Sequence, residues 1–233
     1  MTVSIFPVEG IGEARPGDDV ADLLLHGLEA SAITLVEGDV VVVTHKLVSK
    51  AEGRVVEIGD DPQAHRDLIL EQAAAVLRRR DLLVITETPH GFVCANAGVD
   101  RSNVAPGLAV LLPVDPDRSA RRIRKRLQHA LGVLVGVIIT DTFGRAWRHG
   151  LSDVAIGVAG LPAIVDYRGS EDTFGNILEV TEVALADEVA AAADLVMGKA
   201  RAIPAAVVRG LDHPPGDGSA TDLIREPAED LFR

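Results

Sequence analysis

Apolar and polar positions alternate along this chain with two periods. Runs with strand character fall at 2–6, 39–44, 54–58, 82–86, 91–95, 108–112, 133–139, 154–158, 164–166 and 205–208. Helical spacing appears in four longer stretches. Asp18 or Asp19 caps a helix to about Ala30, with Val20, Leu23, Leu24 and Leu28 on one face. Asp61-Pro62 opens a helix predicted to run to Arg80, where three arginines suit its negative C-terminal pole. Asp115-Pro116-Asp117 opens a basic helix over 119–131, and Thr181 is expected to cap an alanine-rich helix that stops at Gly198. The strand 133–139 breaks into Thr140-Asp141-Thr142-Phe143-Gly144-Arg145, which reads as a buried strand delivering a polar turn.

The order of these elements predicts the fold class. Strands and helices mix without strict βαβ alternation, and several strands are adjacent in sequence. This is α+β: a mixed, partly antiparallel sheet with flanking helices. Neither GxGxxG after a strand nor GxxxxGK[ST] occurs, which excludes the Rossmann and P-loop readings. The expectation is a single unit over 1–233, and more finely two subdomains with the functional site between them.

Composition narrows the function classes. Of 233 residues, 47% are hydrophobic but only 3% aromatic, so the core is aliphatic and base-stacking platforms are scarce. The formal net charge is −12, a poor balance for generic nucleic-acid binding. No apolar run reaches the ~20 residues that span a bilayer, and the N-terminus lacks the layout of a secretory signal. Cys94 is the only cysteine and reads as a small buried hydrophobe. These features predict a cytoplasmic protein that binds neither membrane nor nucleic acid.

Four polar clusters sit on predicted strand ends or loops: 9–13, 45–50, 96–103 and 141–145. Asp100 and Asp141 suit Mg²⁺, which takes one or two carboxylates plus water and phosphate oxygens; the plainer reading is that both cap turns. Lys50 suits a phosphate, or is a solvated lysine. Gly10 and Gly12 permit close backbone approach, or form an ordinary turn. Arg121, Arg122, Arg124, Lys125 and Arg126 either face an anionic substrate or balance nearby acids.

In this order the clusters resemble the coenzyme F420-0:γ-glutamyl ligase family. The resemblance rests on Gly38-Asp39 through Lys50-Ala51-Glu52-Gly53-Arg54, HGFVCANAGVDRSNV at 90–104, DPDRSARRIRKRL at 115–127, GVIITDTFGRAWRHG at 136–150 and DLVMGKARAIP at 194–204. It implies a family-specific ligase fold and an intertwined homodimer. It also implies an activity: L-glutamate is added in γ-linkage to the phospholactyl tail of F420-0 or F420-n, with GTP consumed. Mg²⁺ or Mn²⁺, two ions, and K⁺ assist. Carried over by motif, Asp100 and Asp141 become metal ligands and Thr142 a ligand of the second metal. Gly10, Ile11, Gly12, Glu13, His45, Lys50, Asn103, Met197, Gly198 and Lys199 become nucleotide contacts. Three positions depart from the pattern. His45 stands where relatives often carry a small hydroxyl residue, Gly12 where they often carry proline, and Lys199 where some carry a polar amide. Relatives that fuse a nitroreductase-like domain after this unit differ from the stand-alone form expected here.

The residue chemistry is compatible with such a ligation. Joining a carboxylate to an amine in water needs activation, through an acyl phosphate made from the nucleotide γ-phosphate. All participants are anionic, so cations near Asp100 and Asp141 would screen their repulsion. Arg145 and Arg148 are candidates to hold the acceptor, acting in catalysis with Asp141. The competing readings are a metal-dependent phosphoryl transferase or hydrolase, and a non-catalytic deazaflavin-binding protein.

Overall fold

In a computed structural model the structure describes residues 2–231. The elements, in chain order, are β1 (Ser4–Val8), α1 (Val20–Ala30), β2 (Val40–Thr44), α2 (His45–Ala51), β3 (Val55–Glu57), α3 (Pro62–Gln72), β4 (Ala75–Arg80), β5 (Leu83–Glu87), β6 (Val93–Ala95), β7 (Leu108–Val110), α4 (Pro116–Leu131), β8 (Gly136–Arg145), β9 (Arg148–Ala159), β10 (Val165–Asp166), β11 (Glu182–Val183), α5 (Leu185–Met197) and β12 (Ala205–Arg209). Short 3₁₀ turns lie at Asn96–Gly98 and Ala220–Leu223. The α+β expectation holds.

The main sheet has the order β1-β12-β2-β8-β9, with β2 and β8 parallel and every other neighbour antiparallel. Successive side chains of a strand point to opposite faces, yet each of Val40–Val43 is fully buried, so both faces of the sheet are covered. Helices α4 and α5 both pack on β9, and α1 packs on α4. Capping sets the helix limits. Asp19 accepts from Ala21 N at 2.8 Å to start α1. Asp115 accepts from Arg118 N at 2.8 Å, with Pro116 in the first turn of α4, and Gly132 ends that helix in the left-handed region at φ 72°. A smaller core of Ile69, Val84, Ala97, Val99, Ala109 and Leu111 lies under α3, β5 and β7. Cys94 is buried, and burial together with the nearby Asp141 charge pushes its thiol up to about 12, so it is chemically inert near neutrality.

Three local expectations are corrected. The helix begun at Pro62 stops at Gln72, and Ala75–Arg80 is strand β4. Its ladder with β5, closed by a two-residue turn in which Asp81 sits at φ 54°, overrides the helical propensity of the stretch. The three arginines therefore lie exposed along an edge strand, where charge discourages unwanted pairing. Thr181 does not cap α5: Glu182–Val183 pairs with β10 and the helix begins after Ala184. Finally, β8 does not turn at Thr140. It runs on to Arg145, because the twelve-residue β9 supplies it with a partner along its whole length.

Candidate active site

The parallel pair β2 and β8 ends in register, Thr44 opposite Thr140, and the chain beyond each end carries polar groups. After Thr44 the chain enters α2 at once, which places His45, Lys46 and Lys50 along the sheet edge. The loop after β1, the end of α5 and the loop into β12 meet the same edge. They enclose a cleft of about 420 Å³ with Gly12, Lys50, Asp141, Thr142, Asp153 and Lys199 among its walls. Ligands of open α/β sheets collect at the same place, outside the carboxyl ends of parallel strands.

Alternation along β8 sorts the polar groups at its tip. Thr140 and Thr142 share one face, Asp141 and Phe143 the other. On the first face Asp153 of β9 accepts from Thr140 Oγ1 at 3.3 Å and from Thr142 Oγ1 at 2.6 Å. β9 carries one extra residue, Ile156, opposite the Ile139–Thr140 step; this bulge sets Asp153 opposite Thr142. Lys199 Nζ completes the group, at 2.5 Å from Asp153 Oδ1, 2.8 Å from Thr142 Oγ1 and 2.8 Å from Asp194 Oδ1. Burial alone would lower the Lys199 ammonium's affinity for its proton, but the bonds to Asp153 and Asp194 outweigh it and raise it above the ordinary lysine range.

On the second face Asp141 Oδ1 accepts from Thr142 N at 2.7 Å and lies 3.3 Å from His45 Nε2. That imidazole nitrogen is buried without an aligned hydrogen bond. Nearby, Lys50 Nζ donates to Glu13 Oε1 at 2.5 Å and to the Asn103 carbonyl at 2.7 Å, tying the loop after β1 to the loop after Asp100. Lys46 Nζ holds Asp100 Oδ2 at 2.5 Å and donates to Ser102 Oγ at 2.7 Å. Burial raises the Asp100 carboxyl, but Lys46 and Ser102 more than compensate and hold it below the ordinary carboxylate range.

Of the expected nucleotide contacts, Ile11, Gly12, Glu13, His45, Lys50, Asn103, Gly198 and Lys199 do line the cleft, as do Asp141 and Thr142. Five other expected residues do not. Met197 is buried in the core at the end of α5. Gly10 is needed for packing: at φ 74° a side chain is strained, and a Cβ would stand 2.9 Å from that of Ala30. Asp100 touches the cleft only through Lys46, inside a turn closed by Ser102 N at 2.7 Å. Arg145 and Arg148 face each other at the exposed end of the β8–β9 hairpin, where Arg145 donates to the His149 carbonyl at 2.8 Å. Continuation of β8 carries both away from the cleft. Three arginines of α4 are also engaged, Arg122 with Glu52, Arg124 with the Val135 carbonyl and Arg126 with Asp19 and Asp22.

Sequence reasoning missed Asp153, Asp194 and Lys46. Asp153 carried one signal, an acid just before an apolar strand run, and Asp194 opens the 194–204 motif without its role being readable from it.

The donor set can be tested against a hard cation. Among the described residues no group of three or more His, Cys, Asp or Glu converges on one point, so no all-protein cage exists. Asp141, with the unaligned His45 nitrogen beside it, leaves room for a cation completed by water and phosphate oxygens, which is how Mg²⁺ is usually held. On the Thr142 face the ammonium of Lys199 already stands among the oxygens.

A second hollow, of about 260 Å³, lies between Phe92, Phe143, Val154, Leu223, Ile224 and Asp187. Burial raises the Asp187 carboxyl above its ordinary 3.8, against one bond from Ala155 N at 2.8 Å. Its stabilising contribution is thus full below about pH 3.8 and is lost as pH rises through the raised native value. Asp187→Asn keeps the acceptor for Ala155 and is expected to lose that pH dependence and to melt higher than the parent at neutral pH. Melts at about pH 4 and about pH 7 check this; parallel behaviour of the two proteins would refute it.

Lysines set against acids where the parallel pairing of β2 and β8 ends define an α+β protein with a cleft of paired charges at one sheet edge. The profile of the family described as F420-0:Gamma-glutamyl ligase matches residues 10–210. The chain is 44% identical over 253 aligned residues to the coenzyme F420:L-glutamate ligase of Methanopyrus kandleri, covering 100% of this chain and 98% of that protein. It is 42% identical to the protein of that name from Methanothermobacter thermautotrophicus, with 100% of both chains covered. It is 40% identical to that from Archaeoglobus fulgidus, covering 100% of this chain and 97% of the relative. The chain belongs to the F420-0:Gamma-glutamyl ligase family. No helix among the described residues is long and apolar enough to cross a membrane.

Proposed function

We propose that this protein joins L-glutamate to F420-0 and to F420-n in γ-linkage, with GTP as the energy source and GDP and phosphate as by-products. The observation that carries the reading is the cleft itself. It sets Lys50, Lys46 and Lys199 against Asp141 and Asp153 at one sheet edge, in a chain similar to coenzyme F420:L-glutamate ligases from end to end.

In this reading the GTP phosphates lie along Gly12, Lys50 and Lys199, where ammonium groups offset their charge. Asp141 would hold Mg²⁺ or Mn²⁺, and Asp100 would join it where Lys46 gives up its contact; K⁺ is a further cofactor of the reading. The divalent ion, when bound, supplies positive charge that stabilises the transferring phosphoryl group. The acceptor carboxylate attacks the γ-phosphorus, the bond to the β-phosphate oxygen breaks, and GDP leaves. The glutamate amine then attacks the acyl carbon, phosphate departs, and the amine gives up its proton. His45 Nε2 lies 3.3 Å from Asp141 Oδ1, which also accepts from Thr142 N. The reading includes a homodimer, supported by the exposed apolar side chains Trp147 and Leu151 on the β8–β9 hairpin.

The test is one incubation of purified protein with GTP, Mn²⁺, F420-0 and L-glutamate, followed by mass spectrometry. Stepwise glutamyl additions with GDP formation are expected. GDP release that is indifferent to both F420-0 and glutamate would replace the ligase by a phosphohydrolase.

A further inference from the structure

We propose that the Lys199 ammonium is a resident cation of the cleft, filling the place between Thr142, Asp153 and Asp194 that an exchangeable metal ion would otherwise occupy. The proposal deepens the ligase reading, and rests on it only in taking the Asp141 side of the cleft as the divalent-ion site.

The geometry carries the argument. Three oxygens from three separate elements, β8, β9 and α5, converge on one nitrogen at 2.5 to 2.8 Å. An ammonium has three donors and no acceptor; it hydrogen-bonds Thr142 Oγ1 and Asp153 Oδ1 and pairs by charge with Asp194 Oδ1, which has no aligned hydrogen bond. Without it the group would be two carboxylates and a hydroxyl, the hard-oxygen set that draws Mg²⁺ or Mn²⁺. Asp153 is 3% exposed, and burying a carboxylate without a partner charge is costly. Lys199 is the cation that touches it.

The backbone holds the lysine in place. Gly198 ends α5 at φ 60°, ψ 173°, a conformation essentially confined to glycine, and the chain swings from the helix axis toward the tip of β8. The Thr142 hydroxyl donates to Asp153, so its oxygen faces Lys199 as an acceptor only. A second divalent ion could not reach Thr142 and Asp153 without expelling the ammonium, since two like charges at bonding distance repel strongly in a half-buried site. The cleft therefore binds one divalent ion per chain, and the charge on its Thr142 side does not vary with metal supply.

The test counts bound Mn²⁺ by electron paramagnetic resonance as metal alone is added. The parent should bind one Mn²⁺ per chain. Lys199→Gln should bind two, and added Mn²⁺ should raise its melting temperature more than the parent's. Lys199→Arg, which keeps the charge, should stay at one, and it answers the question if Lys199→Gln folds poorly. Two Mn²⁺ on the parent or on Lys199→Arg, or one on folded Lys199→Gln, would overturn the proposal. Glutamate addition measured on the same parent preparation separates the two readings. A count of one without ligation removes the ligase and leaves the resident cation; a count of two with ligation removes only the resident cation.

Discussion

Asp141→Asn is expected to slow glutamate addition by about 10²–10³-fold, the usual loss when one preorganised electrostatic group is removed from a reacting centre. Its melting temperature and circular dichroism should match the parent's. The fold does not hang on this carboxylate: Asp141 lies in a ladder fixed by the pairs Thr140–Ala155, Asp141–Val154 and Thr142–Asp153. Asparagine retains the oxygen that accepts from Thr142 N. What disappears is one negative charge facing the cleft, next to His45. Cation binding should weaken with it, so raising Mn²⁺ should recover part of the rate. Unfolding in step with the loss of rate would make Asp141 a structural acid, and full activity would remove it from the site.

The largest expected loss of stability comes from the far end of the same sheet. Arg209→Met should destabilise the fold by roughly 3 kcal/mol, the lower end of the range for stripping one partner from a buried ion pair. For a chain of this size that lowers the melting temperature by about 10 °C. Asp39 is 1% exposed and takes two parallel bonds from Arg209, Nε to Oδ1 at 2.8 Å and Nη2 to Oδ2 at 2.6 Å. Arg209 also donates to the Thr34 carbonyl and lies over the Phe6 ring, 5.4 Å from its centroid, so it joins β12, β1 and the entry to β2. Without it a buried carboxylate loses its counter-charge. Arg209 keeps a third of its side chain in water, which lets solvent soften the loss. Urea unfolding measures the effect. Asp39→Leu with Arg209→Met should recover most of it, because the pair then leaves no orphan charge; a single-variant loss below about 1 kcal/mol would show that the pair behaves as a surface one.

Both predictions depend on distances that sequence patterns do not carry. The Asp39 to Arg209 pair joins residues 170 positions apart, and Arg209 stands in none of the matched motifs. The cleft was half legible. Asp141, Lys50 and Asn103 lie in motifs long enough to mark a site, and each contributes to the cleft or its closure. Arg145 and Arg148 belong to the same motif as Asp141 but not to the same place. A strand rises about 3.3 Å per residue, so the four residues from Asp141 to Arg145 carry that side chain well out of the pocket, and Arg148, paired with Arg145 across the hairpin, lies equally far out. Had the turn at Thr140 been real, both would have stayed near. Asp100 shows the opposite error: the residue was found, and Lys46 lay in a marked cluster, but spacing could not show that the two, from different elements, pair.

The sequence by itself determined the α+β class, the caps that start α1 and α4, the apolar strands of the central sheet and the family. Those properties are local, set by neighbours within a few residues or by words long enough to be distinctive. Only the tertiary structure decided that 75–80 is a strand, that β8 continues past its acid, and that Lys199, Asp153 and Asp194 meet Thr142. Each of those outcomes depends on a partner from a distant part of the chain. A ladder or a buried charge takes its energy from that partner, and local propensity yields to it.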